Sequence, residues 1–496
     1  MKPDPVSKVL IVGAGPTGLF TAITLARMGV SVSVIEKRAD PGSDSKALSL
    51  SPLSAQLLQD SGALSPILRN ALATRAFNVR YGDSRICRID FDRLRIAHPY
   101  FLMQPQPATE SMLEERLREL GGCVLRGTEL EKLEQDEMEV AVTLRSKRHG
   151  AMRSRFSYVI GCDGARSRVR EEIGASFTGF DYSGMHFILT DCEVEWDGAL
   201  DEAHYFVTDD GFMVLAPLTD RLHRVVIQVK KPFDAGFKPP FEQFLELAAK
   251  IAPRGFRMRN PIWISSAPFY NRLASTNRAG RVFLAGDAAH LFSPIGGMGM
   301  NTGLGDAFNL GWKLGYVLTG LAHESLLETY RHERLSLAAQ LVAQTDHSTS
   351  LVARLDRHSF EDDRKFLPLF ENRDFMRRVL PTQASGLGQA YPNLSSGTDA
   401  RTGTMILRKP KEPFRCRIGH TIVIGAGSES RLEAIRSAKR LNDEFGNFVD
   451  ARVEISDADS LIRDGEYALV RPDSYIERID QDESELASYL RQTYPC

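Results

Sequence analysis

Cysteine is scarce in this chain. There are six in 496 residues (Cys87, Cys123, Cys162, Cys192, Cys416 and Cys496), scattered and without a C-x-x-C pair. That usage fits free thiols in a reducing compartment better than a disulfide framework or a zinc site. A surplus of either charge is also missing, with 62 Lys and Arg against 64 Asp and Glu and a formal net charge of -2. Such a balance leaves no electrostatic footprint for nucleic acid or an anionic membrane. No apolar run reaches the roughly 20 residues that span a bilayer. The opening Met1-Lys2-Pro3-Asp4-Pro5 leads almost at once into a strand-like run, which does not fit a secretory signal. These absences predict a cytoplasmic protein with no metal site and no nucleic-acid or membrane partner; a monomer and a homodimer both stay open.

What is present is a globular composition, 43% apolar and 25% charged, in a length that allows two or three domains. Val9 to Val12 reads as a buried parallel strand. Gly13-Ala14-Gly15-Pro16-Thr17-Gly18 follows, then a helical segment from Leu19 to Met28, then a strand from Val30 to Ile35 finishing at Glu36. Strand, glycine-rich turn, helix, strand and acid together form a dinucleotide fingerprint. Gly13 makes the tight turn, Gly15 lets backbone approach a pyrophosphate, and Gly18 lets helix and strand pack closely. Glu36 can accept hydrogen bonds from ribose hydroxyls, and Pro16, Thr17 and Lys37 complete the candidate contacts. The spacing alone does not separate FAD from a nicotinamide.

The chain is organised around a second stretch, Arg281 to Leu314. A short buried strand, Val282 to Ala285, ends at Gly286-Asp287. A loop with Pro294, Gly296, Gly297 and Gly299 precedes a helix marked by Ala307, Leu310, Leu314 and Val317. Glycines crowded before a helix let amide groups face a flat, electron-rich ligand. Tyr158 to Arg168 is another strand running into an Asp-Gly turn. Asp163 there either holds a cofactor through water or caps the turn, and Arg166 or Arg168 could meet a phosphate. Lys46 is either a cofactor contact or a solvated loop lysine. Gln106 precedes a helix from Ser111 to Leu120.

From Met185 to Lys230 the pattern changes to strands at His186–Cys192, His204–Thr208, Phe212–Leu218 and Arg224–Val229, a mostly antiparallel insertion. Phe206, Phe212, Met213 and Leu215 line a pocket there or are simply core. Arg221, Arg224, His204 and Tyr205 are candidate polar groups in that sheet. Long helices follow from Leu326 to about Leu380, where His347 is read as structural. Gly386 to Thr404 has the composition of a linker. Beyond it come a strand (Thr421–Ile424), a helix (Arg431–Phe445) and strands at Ala451–Ile455 and Tyr467–Arg471. Ile424-Gly425-Ala426-Gly427-Ser428 lacks the third glycine of a nucleotide turn and is read as a structural turn.

GAGPTG with Glu36, CDGARSRVR at 162–170 and GDAAHLFSPIGGMGMNTG at 286–303 together resemble the single-component, FAD-dependent aromatic hydroxylases of the para-hydroxybenzoate hydroxylase fold. Ala468-Leu469-Val470-Arg471-Pro472-Asp473 resembles the thioredoxin-like extension of the phenol and polyketide hydroxylase branch. The resemblance implies a Rossmann-like α/β FAD-binding domain in two parts, 1–180 (with 77–102 joining the substrate domain) and 271–390. It implies an inserted antiparallel β-sheet substrate domain at 181–270 and a thioredoxin-like domain at 400–496. It places Gly13, Gly15 and Gly18 at the FAD pyrophosphate and Glu36 at the adenosine ribose. Lys46 falls where the family usually has arginine, Gln106 matches a cofactor-binding glutamine, and Asp163 sits near the pyrophosphate. Asp287 would bind the ribityl chain, and Gly297, Gly299, Met300 and Asn301 the flavin ring. Pro294 would stand beside the reactive carbon as the catalytic contact. Ser293 and Ser336 replace prolines common in the family. The implied reaction is hydroxylation of a phenolic or polyketide-like aromatic with NADPH or NADH and O2, through a flavin C4a-hydroperoxide. A reductase or oxidase on the same fold, or a flavin-binding interaction protein, are the alternatives. The lone Cys416 and Cys496 give the C-terminal unit no thiol redox role.

Overall fold

The Val9–Val12 strand, buried along its whole length, pairs in parallel with Val32–Glu36 on one side and Tyr158–Gly161 on the other. In this computed structural model residues 8–42, 47–229, 239–293, 296–354, 372, 374–391, 399–406, 418–456 and 460–495 are described. The nucleotide sheet has six strands, in the order Arg278–Ala279, Val282–Leu284, Tyr158–Gly161, Val9–Val12, Val32–Glu36 and Val124–Arg126. All are parallel except the first, which is the arrangement expected of continuous apolar runs covered on both faces.

The helix after the fingerprint spans Pro16–Arg27, three residues earlier than the apolar pattern suggests, because proline suits the first helical turn. It packs along the Met298–Thr319 helix, with Phe20 stacked on Phe308 at 6.0 Å. Gly311 and Gly315 make the approach close: a Cβ at either would come within 2.6 Å of Thr24 or 2.3 Å of Met28.

The second sheet has eight strands, ordered His290–Leu291, Arg257–Ala274, Phe177–Glu195, Leu222–Val229, Gly211–Pro217, Ala203–Thr208, Ala76–Tyr81 and Ser84–Asp90. Pairing is antiparallel except between Ala203–Thr208 and Ala76–Tyr81. The strand expected at His186–Cys192 is the middle of a 19-residue strand, and its 18-residue partner Arg257–Ala274 was not anticipated. Register shifts between Asp181 and His186 and between Asp191 and Glu193 break the two-residue alternation that would have revealed them. On one face Ile188, Phe206, Met213, Leu215, Val225 and Ile227 pack with Phe244 of the Phe241–Ala248 helix, so Phe206, Met213 and Leu215 are core. On the other face Phe187, Val207 and Phe212 cluster with half-buried Tyr205, Val214 and Val226. Tyr205 and Val214 also pack against the large buried cluster that takes in Phe77 and Ala203 of this sheet, Phe91 and Phe101, and is continuous with the nucleotide core.

The C-terminal unit is a four-stranded sheet ordered Val449–Ile455, His420–Ala426, Tyr467–Val470 and Ile476–Asp480, flanked by helices Arg431–Phe445 and Glu483–Thr493. A parallel β-α-β unit, an antiparallel hairpin and a closing helix make it thioredoxin-like. Its Gly425–Gly427 turn is filled from within. Asp464 accepts from the Gly427 amide at 2.9 Å, and a Cβ at Gly425 would lie 1.9 Å from the Arg463 carbonyl. The expected linker is anchored before residue 392: Leu387 and Tyr391 are buried, and the Tyr391 ring lies 4.2 Å from that of Tyr475. Cys416, Cys496 and the side chain of His347 lie outside the described residues.

Candidate active site

Two of the three fingerprint glycines are required by the protein's own packing. A Cβ on Gly13, which has φ +105°, would lie 2.3 Å from the Cys162 carbonyl oxygen, and one on Gly18 would lie 2.0 Å from that of Gly13. A Cβ on Gly15 would meet nothing within 4 Å. Nothing among the described residues calls for glycine there, so the open space at the N-terminus of the Pro16–Arg27 helix fits an anionic pyrophosphate. At the end of the adjacent strand Glu36 is buried, its carboxylate accepting from the Ala14 amide at 3.1 Å and the Arg38 amide at 2.9 Å. Burial pushes its pKa up, but these amides and the Arg38 guanidinium hold it below the usual value, as a ribose-binding carboxylate requires. Lys37 is exposed beside it. Pro16 is buried at the helix start, and the Thr17 hydroxyl fills the notch between Gly286 and Gly303. Thr17 therefore joins the fingerprint to the Gly-Asp stretch.

Asp163 caps its own turn. Its carboxylate accepts from the Ser167 hydroxyl at 2.5 Å and from the amides of Arg168 and Val169 at 2.7 and 3.1 Å. Burial raises its pKa despite these bonds. The Cys162–Asp163 backbone lies against Gly13, which puts this turn beside the fingerprint. Arg168 pairs with Glu171 and Glu172 rather than facing the site. It is Arg170 that reaches across, donating to the carbonyls of Ala165 at 2.8 Å and Ala288 at 3.0 Å and so tying the two loops together. Gln106 begins the Gln106–Glu119 helix, which starts five residues earlier than expected. Its side chain accepts from the Ala47 amide at 3.0 Å and donates to Glu110 at 2.8 Å. Lys46 and Pro294 lie outside the described residues.

The Gly-Asp stretch connects the two large sheets. It leaves the nucleotide sheet at Val282–Leu284 and turns at Gly286–Ala288, where Gly286 has φ +60° and Asp287 is exposed. It then joins the eight-stranded sheet as the edge strand His290–Leu291, opposite Leu273 and Arg272. The Ser293 amide donates to the Asn271 side chain at 2.8 Å, a bond that the proline common here in the family could not make. Gly296 and Gly297 take φ of +97° and +65°, and the Met298–Thr319 helix begins. Helix geometry leaves the amides of Met298, Gly299 and Met300 without intrahelical partners, and a Cβ at Gly299 would meet nothing within 4 Å. The Asn301 side chain is a brace: it accepts from the Ser51 amide at 2.8 Å and the Ser54 hydroxyl at 2.7 Å, and donates to the carbonyls of Ser49 and Gly297 at 3.1 and 2.8 Å. A cleft lined by Ser51, Leu53, Phe101, Gly296, Met298 and Asn301 opens at this helix start.

Sequence reasoning missed Asp306. It is 1% exposed and accepts from the Gly286 amide at 3.0 Å, with His290 Nε2 2.6 Å away and Arg334 Nε 2.6 Å away. Burial alone would raise its pKa, yet Arg334 and His290 hold it at about 2, so it is a fixed anion beneath the Gly-Asp turn. An aspartate within the apolar helical run 304–314 was the available signal.

The candidate polar groups of the substrate sheet are mainly structural. Arg224 binds Asp191 through two bonds of 2.8 and 3.0 Å, and the Trp263 indole donates to the same carboxylate at 2.8 Å. His204 is buried against the Ala199 carbonyl at 2.7 Å, and Arg221 is exposed in a turn. Among the described residues no group of His, Cys, Asp or Glu could hold a metal ion, and no helix is long and apolar enough to cross a membrane.

The family model described as the FAD binding domain matches residues 6–345. The chain is 36% identical over 353 residues to a rifampicin monooxygenase of Streptomyces venezuelae, covering 70% of this chain and 71% of the relative. It is 30% identical over 492 residues to the 12-dehydrotetracycline 5-monooxygenase/anhydrotetracycline 6-monooxygenase of Streptomyces rimosus, covering 94% of each. The solved anhydrotetracycline hydroxylase of Streptomyces rimosus superposes with a TM-score of 0.78 at 28% identity and covers 99% of both chains. A glycine cradle shaped for a dinucleotide, a Gly-Asp turn anchored under it and a match over two-thirds of its length lead to one conclusion: this chain belongs to the FAD-binding-domain family, as an FAD-dependent aromatic monooxygenase.

Proposed function

We propose that the chain hydroxylates a phenolic or polyketide-like aromatic, using electrons from NADPH or NADH and one atom of O2. The observation that carries this reading is the path of the Gly-Asp stretch. It runs from the nucleotide sheet into the edge of the eight-stranded sheet, whose apolar face of Tyr205, Val214 and Val226 joins, through Tyr205 and Val214, the buried cluster continuous with the nucleotide core. A ring on that face would lie close to a flavin seated at the Met298–Thr319 helix start. Full-length similarity to a tetracycline monooxygenase favours a polycyclic phenol.

Bound FAD supplies the redox chemistry, accepting hydride and activating oxygen. The chain's own residues bind, orient and exclude water. Gly15 and the first turn of the Pro16–Arg27 helix would receive the pyrophosphate, and Glu36 would accept from the ribose. Asp287 would take the ribityl hydroxyls. The amides of Met298, Gly299 and Met300 would serve the flavin ring, where a helix N-terminus stabilises negative charge. The apolar face keeps the site dry, which strengthens those interactions. The free thiols Cys87, Cys123, Cys162 and Cys192 suit a reducing cytoplasm.

The test is a screen of phenols, quinones and polyketide-like aromatics for stimulated NADPH oxidation by the purified yellow protein, followed by product analysis under 18O2. A product carrying the label is expected. Stimulated oxidation with no label in any product would favour a reductase or oxidase and overturn the hydroxylase reading.

A further inference from the structure

Arg471 and Asp473 follow the Tyr467–Val470 strand of the C-terminal unit, yet they are 2% and 3% exposed. Arg471 grips Glu333 of the Leu326–Arg354 helix with Nη1 and Nη2 at 2.8 and 2.9 Å, and its Nε and Nη2 hold Asp473 at 3.0 and 2.6 Å. Asn309 of the Met298–Thr319 helix donates to both carboxylates, at 2.9 Å to Glu333 and 3.0 Å to Asp473. Lys313 adds a bond to Glu333 at 2.8 Å.

The network does not stop at this interface. The Tyr391 hydroxyl accepts from Arg334 Nη1 at 2.9 Å and lies 3.4 Å from Asn309 Nδ2, and its ring lies 5.5 Å from the Arg471 guanidinium. Arg334 continues to Asp306 through Nε at 2.6 Å and to the Thr302 carbonyl through Nη2 at 2.9 Å. Asp306 then holds the Gly286 amide and His290. A second path leads from Ser474, whose hydroxyl accepts from Gln56 at 3.0 Å, into the Pro52–Asp60 helix. That helix starts at Ser51, the residue bonded to Asn301.

Joining two units needs only apolar contact. Burying Arg471, Lys313 and Arg334 with Glu333, Asp473 and Asp306 carries a desolvation penalty that well-packed apolar side chains would avoid, so attachment alone is a poor account of the network. Its specific product is geometry. Charge-assisted bonds in a low-dielectric interior are short and directional, and these end on the Gly286 amide and the first turns of the Met298–Thr319 helix.

We propose that Arg471 is a positioning residue for the flavin site. Through the Tyr391 ring it faces, then Arg334 and Asp306, it fixes the Gly286–His290 turn in the shape that receives the cofactor. The proposal rests on the FAD reading of that site. It also gives the C-terminal unit a task that needs no chemistry of its own.

Tyr391→Phe removes one hydroxyl and leaves the ring stacked on Tyr475; Arg471→Lys keeps the charge and loses the two-pronged grip. For each variant the FAD dissociation constant is measured by flavin fluorescence titration of the stripped protein, and unfolding temperatures are recorded without and with saturating FAD. Tyr391→Phe should weaken FAD binding roughly fivefold, the worth of one hydrogen bond, and narrow the gap between the two temperatures. Arg471→Lys should act in the same direction, and the double variant should lose less than the two losses combined, because both cut one path. Asp464→Asn, in the internally filled turn of the same C-terminal unit, should lower both temperatures equally and leave FAD affinity unchanged. Wild-type FAD affinity and an unchanged gap in Tyr391→Phe would overturn the proposal. Wild-type protein that binds FAD but inserts no oxygen would end the hydroxylase reading and leave this one standing.

Discussion

The α-carbon of Gly18 sits so close to the carbonyl of Gly13 that a Cβ on it would lie 2.0 Å from the oxygen. That contact presses the first turn of the Pro16–Arg27 helix onto the turn leaving the Val9–Val12 strand, and it sets where the helix N-terminus points. Gly15 lies between them in sequence and touches nothing on its open side. The three glycines therefore separate into two that serve the fold and one that serves the ligand.

Gly15→Val should leave the protein folded and colourless, because its backbone (φ -75°) suits any residue and only the ligand's space is taken. Gly18→Ala should instead destabilise the apoprotein by about 1–3 kcal/mol through forced displacement of backbone. Purification with and without FAD, plus urea unfolding of the apoprotein, separates the two. Gly15→Val retaining full FAD would remove the fingerprint assignment.

Ser293→Pro should lose the amide bond to Asn271, costing about 0.5–1.5 kcal/mol. The effect should concentrate next to the flavin loop, so FAD affinity should fall along with thermal stability. Unchanged FAD titration and unfolding curves would show that the bond carries no weight.

Acid should weaken the fold through two buried carboxylates. Burial raises the pKa of both, but Arg334 and His290 hold Asp306 at about 2 against an ordinary 3.8, and Arg471 and Lys313 hold Glu333 at about 2 against 4.5. Folded values below unfolded ones mean that the unfolded chain binds more protons between about pH 4.5 and 2. The stabilisation is thus complete above that window and lost as pH falls through it, by at most roughly 6 kcal/mol in all. Urea unfolding at pH 6, 4 and 3 measures the slope. Asp306→Asn, less stable at pH 6, should show a shallower decline, and an identical slope would count against the assignment.

Flavin reduction should depend on the aromatic. Among the described residues there is one open dinucleotide cradle, and the glycine turn Gly425–Gly427 is filled by Asp464. The nicotinamide must then dock without a Rossmann site of its own, at the mouth of the flavin pocket. Anaerobic stopped-flow with NADPH should show slow bleaching in the free enzyme and much faster bleaching with the right substrate. Equal rates, with hydroxylated product still formed, would end the gating claim and spare the hydroxylase one.

Elements with an unbroken period were legible. The Arg431–Phe445 helix has the expected bounds, and the Val32–Glu36 and Val282–Leu284 strands fall within a residue or two of theirs. Arg257–Ala274 was not legible, because a strand crossing register shifts presents no steady alternation. The helix of Gln106 was read as starting at Ser111, since its first turn carries little apolar signal. The Ile476–Asp480 strand and Glu483–Thr493 helix, which close the C-terminal sheet, are absent from the sequence reading although Pro472-Asp473-Ser474 and the capping Asp482 mark their starts.

By itself the sequence determined the matters that are local: which turns need glycine, which runs are buried strands, and that a strand, a glycine turn and an acid stand together at Glu36. Backbone sterics and hydrophobic period act over a few residues and leave their mark there. Only the tertiary structure decided the partners of buried charges. Arg471 meets Glu333 across 138 residues, and Asn301 braces Ser51 across 250. An ion pair of that span is held by the packing of elements that each formed for other reasons, so no local pattern records it.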